Sequence, residues 1–188
     1  DDVYKDKSLL NNITNVNGKN SDNITTIDTT GDHTTVDGVD INNVNNGTGV
    51  KVDGNNADVT NVTASNSSDV TVVDVNGNNT NVGGVGLDNV TNGADITATE
   101  GIATVDNVNV SDASGKAIDV NATGDVSIIN SDLNNVSEGI SVKSEQGNVE
   151  LSNITAETVK DGSAINATGK EVTVKDNQEI TYADLSIK

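Results

Sequence analysis

The chain lacks six residue types that often carry chemistry or shape: its 188 residues include no Cys, Pro, Met, Trp, Phe or Arg. Without Cys it can form no disulfide, thiol nucleophile, iron–sulfur cluster or Cys-type zinc site. Its only aromatic residues are Tyr4 and Tyr182, so it has no aromatic platform on which bases or sugars could stack. These absences exclude several classes of enzyme and of binding module.

Positive charge is also scarce. Ten Lys face 29 acidic residues, which gives a formal net charge of -19. The phosphate backbone of DNA or RNA would be repelled, so no nucleic-acid partner is expected. No run approaches 18 apolar residues, which predicts no membrane span. The chain begins at Asp1, as a secreted protein does once its signal peptide is removed, although a shortened chain would begin in the same way. We expect a secreted, extracellular protein of the cell surface.

Low hydrophobicity with high net charge is typical of disordered chains. Two observations oppose that interpretation. The apolar residues are mostly Val and Ile, which favour strands, and they follow a regular pattern. The remaining residues are largely Asn, Gly, Thr, Asp and Ser, which favour turns. The composition therefore predicts short strands separated by turns.

The apolar residues recur every 23 positions. One column holds a large aliphatic residue at all eight steps: Ile13, Val36, Val59, Val82, Val105, Ile128, Leu151 and Val174. A further column is interrupted at Asp119, where the register slips by one and Ile118 or Val120 is expected to point inward: Ile27, Val50, Val73, Ile96, Asp119, Val142 and Ile165. Columns that persist over so many steps predict one structural unit stacked about eight times.

Polar columns lie between the apolar ones and contain only Asn, Gly and Asp, which tolerate left-handed backbone. One column reads Asn15, Gly38, Asn61, Gly84, Asn107, Asn130, Asn153 and Asp176, and another reads Asn20, Asn43, Asn66, Asn89, Asp112 and Asn135. We expect corners at these positions and ladders of side-chain amides along them. No uninterrupted Asp or Glu column is found at this period, and like charges stacked at about 4.8 Å would repel each other.

Leucine-rich repeats share this repeat length, and residues 36–41 and 82–87 fit their opening pattern. The rest of each repeat lacks the apolar residues of a helical back face. The chain resembles the right-handed parallel β-helix family instead, on Gly-Val-Lys-Val-Asp-Gly at 49–54, Ala-Ile-Asp-Val-Asn at 117–121 and Gly-Ile-Ser-Val-Lys at 139–143. The resemblance covers about residues 10–187.

This resemblance implies an all-β chain, a single parallel β-helix or β-solenoid of about eight 23-residue coils. We expect an N-terminal end segment at 1–12, solenoid repeats at 13–178 and a terminal strand at 179–188.

A solenoid has two ends, each with a row of unpaired backbone groups unless a cap covers it. Neither end segment here has the pattern of a cap helix. They are interpreted either as degenerate terminal coils with Tyr lids or as adhesive ends that join subunits head to tail. The residues in question are Val3, Tyr4, Leu9, Leu10, Ile180, Tyr182, Leu185 and Ile187.

Some β-helix proteins are polysaccharide lyases or hydrolases, and hydrolysis needs two carboxyl groups about 5–9.5 Å apart. Asp37 with Asp40, or Asp53 with Asp74, could provide such a pair, but proximity is expected by chance among 29 acidic residues. Lyases of this fold resemble one another in using bound calcium and a basic residue, commonly Arg, which this chain lacks. No catalytic residue is predicted, and the chain is not expected to be an enzyme.

Metal and ice binding are also weakly supported. His33 is the only His and is expected to be a solvated loop residue, not a metal ligand. Neither EF-hand loops nor the glycine-rich calcium nonapeptide occur, so we expect no dedicated cofactor and only weak Ca²⁺ binding. Ice-binding solenoids present long Thr rows, and no Thr column here persists beyond two or three coils.

Asn-x-Ser/Thr sequons are frequent and predict surface N-glycosylation, provided the chain follows a secretory route that glycosylates. The twelve sites are Asn12, Asn23, Asn46, Asn61, Asn66, Asn78, Asn89, Asn109, Asn121, Asn135, Asn153 and Asn166.

The sequence favours a non-catalytic structural protein, a β-solenoid subunit that assembles through its ends or sides into a cell-surface filament, sheath or lattice. The alternative is an adhesin stalk or glycan-binding module, because Asn-rich β-helix repeats resemble those of large adhesin-like surface proteins. A polysaccharide lyase or hydrolase is the third hypothesis. The expected partners are further copies of the chain and, on the adhesin hypothesis, surface glycans.

Overall fold

The computed structural model describes residues 12–176 and 185–188. This part of the chain is all-β and contains no helix. Its twelve strands are β1 (Asn12–Thr30), β2 (Thr35–Asp53), β3 (Asp58–Asn76), β4 (Thr80–Ala98), β5 (Ala103–Ala113), β6 (Lys116–Ala122), β7 (Val126–Asn134), β8 (Glu138–Ser144), β9 (Val149–Ala156), β10 (Ile165–Thr168), β11 (Val172–Lys175) and β12 (Leu185–Ile187).

All of these strands pair in parallel and belong to a single sheet that winds as a β-solenoid. Residue Ile13 of β1 lies beside Val36 of β2, and Val36 lies beside Val59 of β3. From β5 onward each coil divides into two strands. The strands β5, β7, β9 and β11 stack on what we call the first side, and β6, β8, β10 and β12 stack on the second side. The predicted fold is confirmed, with about seven coils in residues 12–176.

The two sides differ in how strictly they keep the 23-residue period. On the first side Val105, Ile128, Leu151 and Val174 stack in register, 23 residues apart at each step. The predicted column from Ile13 is therefore confirmed along its whole length.

On the second side the spacing changes from coil to coil. Ile96 lies beside Val75 and Val120, which are 21 and 24 residues away. Val142 lies beside Ala167, a spacing of 25. The predicted column from Ile27 is thus wrong beyond its third member, because it joined two separate columns.

Those two columns run Ile27, Val50, Val73, Ala94, Ile118, Ile140, Ile165, Leu185 and Thr29, Val52, Val75, Ile96, Val120, Val142, Ala167, Ile187. The slip predicted at Asp119 is confirmed, and both Ile118 and Val120 are buried. A second slip, between Ser67 and Thr71, has no counterpart in the prediction.

The core is a stack of Val, Ile, Leu and Ala side chains that runs the length of the described rod. Two Ser residues interrupt it at positions where other coils carry aliphatic side chains. The Ser67 hydroxyl, 2% exposed, accepts a bond from the Val44 N–H at 3.1 Å and donates to the Ser65 carbonyl at 3.0 Å. Ser131 repeats the arrangement. Because both hydroxyls are satisfied, these polar groups are compatible with a dry core.

The corners adopt the left-handed backbone that the polar columns predict. All eight members of the Asn15 column and all six of the Asn20 column have positive φ, from 50° at Asn66 to 73° at Gly38. Left-handed backbone is costly for most L-residues and cheapest for Gly, Asn and Asp. The corner columns are therefore confirmed, and they fix where each coil changes direction.

Candidate functional site

At the ends of the described rod, three strands pair with another described strand on one edge only. β1 pairs only with β2, β11 pairs only with β9, and β12 pairs only with β10. Each of these strands therefore has one edge with which no other described strand pairs. The 1–11 and 177–184 segments are not described, so this statement concerns the described strands alone.

The predicted adhesive residues are only partly within the described ranges. Val3, Tyr4, Leu9, Leu10, Ile180 and Tyr182 lie outside them. Leu185 and Ile187 lie on β12, which adds a shortened coil to β10, with Leu185 beside Ile165 and Ile187 beside Ala167. Ile187 is 48% exposed, and the other large exposed hydrophobic residue of the described ranges is Ile102, at 47%. An apolar side chain thus marks the C-terminal strand edge.

Most predicted sequons lie at corners, where their amides bond to the neighbouring coil. Asn89 donates to the Asn66 Oδ1 at 3.1 Å, and Asn153 donates to the Asn130 Oδ1 at 2.9 Å. The predicted amide ladders are confirmed at these positions. The sequons with left-handed backbone are Asn23, Asn46, Asn61, Asn66, Asn89, Asn135 and Asn153.

The remaining sequons occupy other environments. Asn78 is half-buried and its Oδ1 accepts a bond from the Glu100 N–H at 2.6 Å. Asn12, Asn109, Asn121 and Asn166 lie on strands and are exposed. The structure thus separates the twelve sequons into seven at left-handed corners, four exposed on strands and Asn78 in a loop, a distinction that the motif alone does not make.

Three carboxylates stack on the second side. Asp74 lies beside Asp95, and Asp95 lies beside Asp119, at about the 4.8 Å spacing of paired strands. The sequence predicted no unbroken acidic column, and this short one is a correction. It arises because the irregular spacing of this side brings together residues that a strict period of 23 keeps apart. Lys51 continues the column beyond Asp74, and Lys116 binds Asp119 at 2.6 Å.

The protonation equilibria of this acidic column are shifted. Partial burial raises the pKa of Asp74, with the Asp53 charge adding to it and Lys51 opposing it. Desolvation by the neighbouring coils is also the main reason that the pKa of Asp95 is raised. The negative charges of Asp119 and Asp74 raise this pKa further. The hydrogen bond and charge of Asp119 raise the pKa of Lys116. The pKa values of Asp74, Asp95 and Lys116 are therefore all shifted upward.

The candidate catalytic pairs are not equivalent. Asp53 and Asp74 are brought together, because both accept a bond from the Asn76 Nδ2 at 3.1 Å. Asp37 and Asp40 lie on the same strand, β2. Both pairs lie on outward faces of the rod, and Asp53 also binds Lys51 at 3.1 Å. The expectation that none of these residues is catalytic stays a prediction.

His33 is exposed at a left-handed corner, with φ of 57°, and the prediction of a solvated position is confirmed. Within residues 12–176 and 185–188, no three His, Asp or Glu side chains converge in a way that could hold a metal ion. The same ranges contain no helix suited in length and hydropathy to crossing a membrane. Weak Ca²⁺ binding remains a prediction.

Comparison with known proteins gives no relative. No family model matches the chain, and no curated protein or solved structure shows significant similarity to it. The fold is therefore established by the coil geometry itself, and the function has to be argued from the ends and faces of the rod.

Proposed function

We propose that this protein is a non-catalytic structural subunit of the cell surface, which polymerises end to end into filaments. The observation that carries the proposal is the parallel stacking of strands up to both ends of the described rod. β1 at the first described coil, and β11 and β12 at the last, each pair with one described strand only. A parallel strand edge is a template for another strand of the same kind.

The repeat makes the two ends complementary. On the first side every described coil repeats nearly the same pattern. The last coil of one copy can therefore stack on the first coil of the next as neighbouring coils stack within one copy. Val174 ends the first-side column, and Ile13 begins it. Head-to-tail stacking would continue this column with the same aliphatic chemistry.

The charge on the lateral faces of the rod favours contact between copies through their ends. Outward positions carry Asp, Asn, Thr and Ser, and the net charge is -19. Parallel rods of one sign repel each other along their length, whereas end contacts bring few charges together. The exposed apolar residue Ile187 lies on the terminal strand β12.

Negative-stain electron microscopy of the native protein over a concentration series tests the proposal. We expect filaments with an axial repeat of about 34–38 Å, the height of seven to eight coils at about 4.8 Å each. Ile187→Lys places a charge at the terminal strand and should raise the concentration needed for filaments at least tenfold. Ile102→Lys is the matched control, since Ile102 is equally exposed but precedes β5 in the middle of the rod.

Uniform short rods at every concentration would contradict the proposal. Equal effects of the two Lys substitutions would also contradict it, because they would indicate a general charge effect. In either case the adhesin hypothesis becomes the better one, with the rod as a spacer or glycan-binding module of a larger adhesin-like surface protein of the right-handed β-helix family. Reproducible hits on a glycan array would then support it.

A further inference from the structure

The twelve sequons are not equally able to carry a glycan on the folded rod. A corner sequon donates its amide to the coil beside it, as Asn89 does to Asn66. Asn66 and Asn89 are both sequons, and they lie on adjacent coils about 4.8 Å apart. That spacing leaves no room for two branched sugar chains side by side.

Asn109 differs from these corner residues in its bonding. It lies on β5, is exposed, and its Nδ2 donates to the Asn107 Oδ1 at 3.2 Å, within its own coil. An amide that carries a sugar keeps one N–H, so this bond can persist after modification. The sequon residue Ser111 lies two positions on, on the same face of the strand.

Asn109 also has space beside it. The outward column that contains it reads Asn17, Asp40, Thr63, Gly86, Asn109, Asp132 and Thr155. Gly86 is the one member without a side chain. A Cβ at Gly86 would meet nothing closer than the Thr63 Cγ2 at 3.9 Å, and the backbone there is not left-handed. Neither packing nor conformation requires glycine at this position.

An open surface groove of about 490 Å³ lies beside Asn109, with Gly86 among the residues that line it. The outward side chains that line it are polar and include Thr63, Asp88, Asp132 and Asn134, whereas the side chains of Ala64, Leu87 and Val110, which also border it, are buried in the core. Hydroxyl, carboxylate and amide groups of this kind can hydrogen-bond to the hydroxyls of a sugar ring.

We propose that Asn109 carries an N-linked glycan whose first sugar lies in the groove beside Gly86. The proposal rests on the cell-surface location in the proposed function, since N-glycosylation requires a secretory route. The proposed occupant of the groove is a covalently attached sugar, because the sequon residues Asn109 and Ser111 line the groove. The groove beside Asn121, where Thr97 and Lys143 flank it on the neighbouring coils, is smaller, about 210 Å³.

The test is expression of the full chain behind a secretion signal in a yeast that N-glycosylates. Glycopeptide mass spectrometry of the folded, secreted protein should find Asn109 occupied. Native endoglycosidase treatment should release this glycan several-fold more slowly than treatment after denaturation. Gly86→Thr should remove that protection, because it fills the groove. The control is Gly83→Thr on the same strand, outside the groove; because a Cβ there would meet the Asp106 carbonyl oxygen at 3.2 Å, its urea midpoint is first compared with that of wild type.

Three results would overturn the inference. They are an unoccupied Asn109, equal native release from wild type and Gly86→Thr, and molecules glycosylated at both Asn66 and Asn89. Glycan-array binding by Asn109→Gln that Gly86→Thr abolishes would instead assign the groove to a free ligand. Filament formation by unglycosylated protein from bacteria is measured separately, so the failure of one proposal is distinguishable from the failure of the other.

Discussion

Individual residues determine where each coil turns. Asn107 and Asn130 take φ of 57° and 52°, and Gly84 takes 60° at the equivalent corner one coil earlier. The sequence predicts these corners correctly, because tolerance of left-handed backbone belongs to a residue and its nearest neighbours. The effect of a buried hydroxyl group on stability is harder to predict from sequence, since it depends on whether a hydrogen-bond partner lies within reach.

Two buried Thr residues provide a matched test of that cost. The Thr80 hydroxyl is buried without a partner, whereas the Thr34 hydroxyl donates to the Gly31 carbonyl at 2.8 Å. Thr80→Val should raise the free energy of unfolding by about 1 kcal/mol, because an unpaired buried hydroxyl is replaced by a methyl of the same shape. Thr34→Val should lower it by about 1 kcal/mol. Urea denaturation measures both, and equal effects would refute the assignment.

At the scale of strands, the period is reliable only on the first side. The corner and core columns there keep 23 residues from Ile13 to Val174, so sequence stepping finds them. On the second side, extra or missing residues at the corners change the spacing. One such change follows Ala113, where one extra residue in the corner before Lys116 lengthens the spacing between paired residues from 23 to 24. Sequence stepping detects this change, because it brings the polar Asp119 into an apolar column, but it misses the change between Ser67 and Thr71, which leaves the alternating apolar pattern intact.

The acidic column is therefore visible only in the structure, and its raised pKa values have a consequence for stability. Asp95 has a higher pKa in the folded state than in an unfolded chain. Its stabilising contribution is present below the ordinary Asp pKa of about 3.9 and is lost as pH rises through the folded value. At neutral pH the charged carboxylate is a net cost, reduced by solvent because the side chain is exposed.

Asp95→Asn should therefore stabilise the protein at pH 7 by a few tenths of a kcal/mol. The advantage over wild type should disappear as the pH is lowered toward about 3.9. Asp132→Asn is the control, because Asp132 lies between the uncharged Asn109 and Thr155. Thermal denaturation across this pH range measures both variants. A destabilising Asp95→Asn at neutral pH would show that Lys116 outweighs the carboxylate repulsion.

For the molecule as a whole, the dominant quantity is the net charge of -19. Two rods that meet end to end must overcome this repulsion, which acts over a Debye length of about 30 Å at 0.01 M salt and about 8 Å at 0.15 M. The concentration needed for filaments should fall steeply between these two salt levels. Sedimentation with matched microscopy measures it, using sucrose of equal osmolality as the uncharged control. Polymerisation that is insensitive to salt would show that charge does not limit the end contact.

The direction of the hydrogen bonds also determines how the rod extends under tension. Bonds between coils run along the rod axis, so tension applied to the two termini loads one coil boundary at a time. Each coil that peels away releases 23 residues, about 75 Å of extended chain, in exchange for about 4.8 Å of rod. A tether built in this way lengthens in even steps under load, and the coils that remain stacked keep their shape.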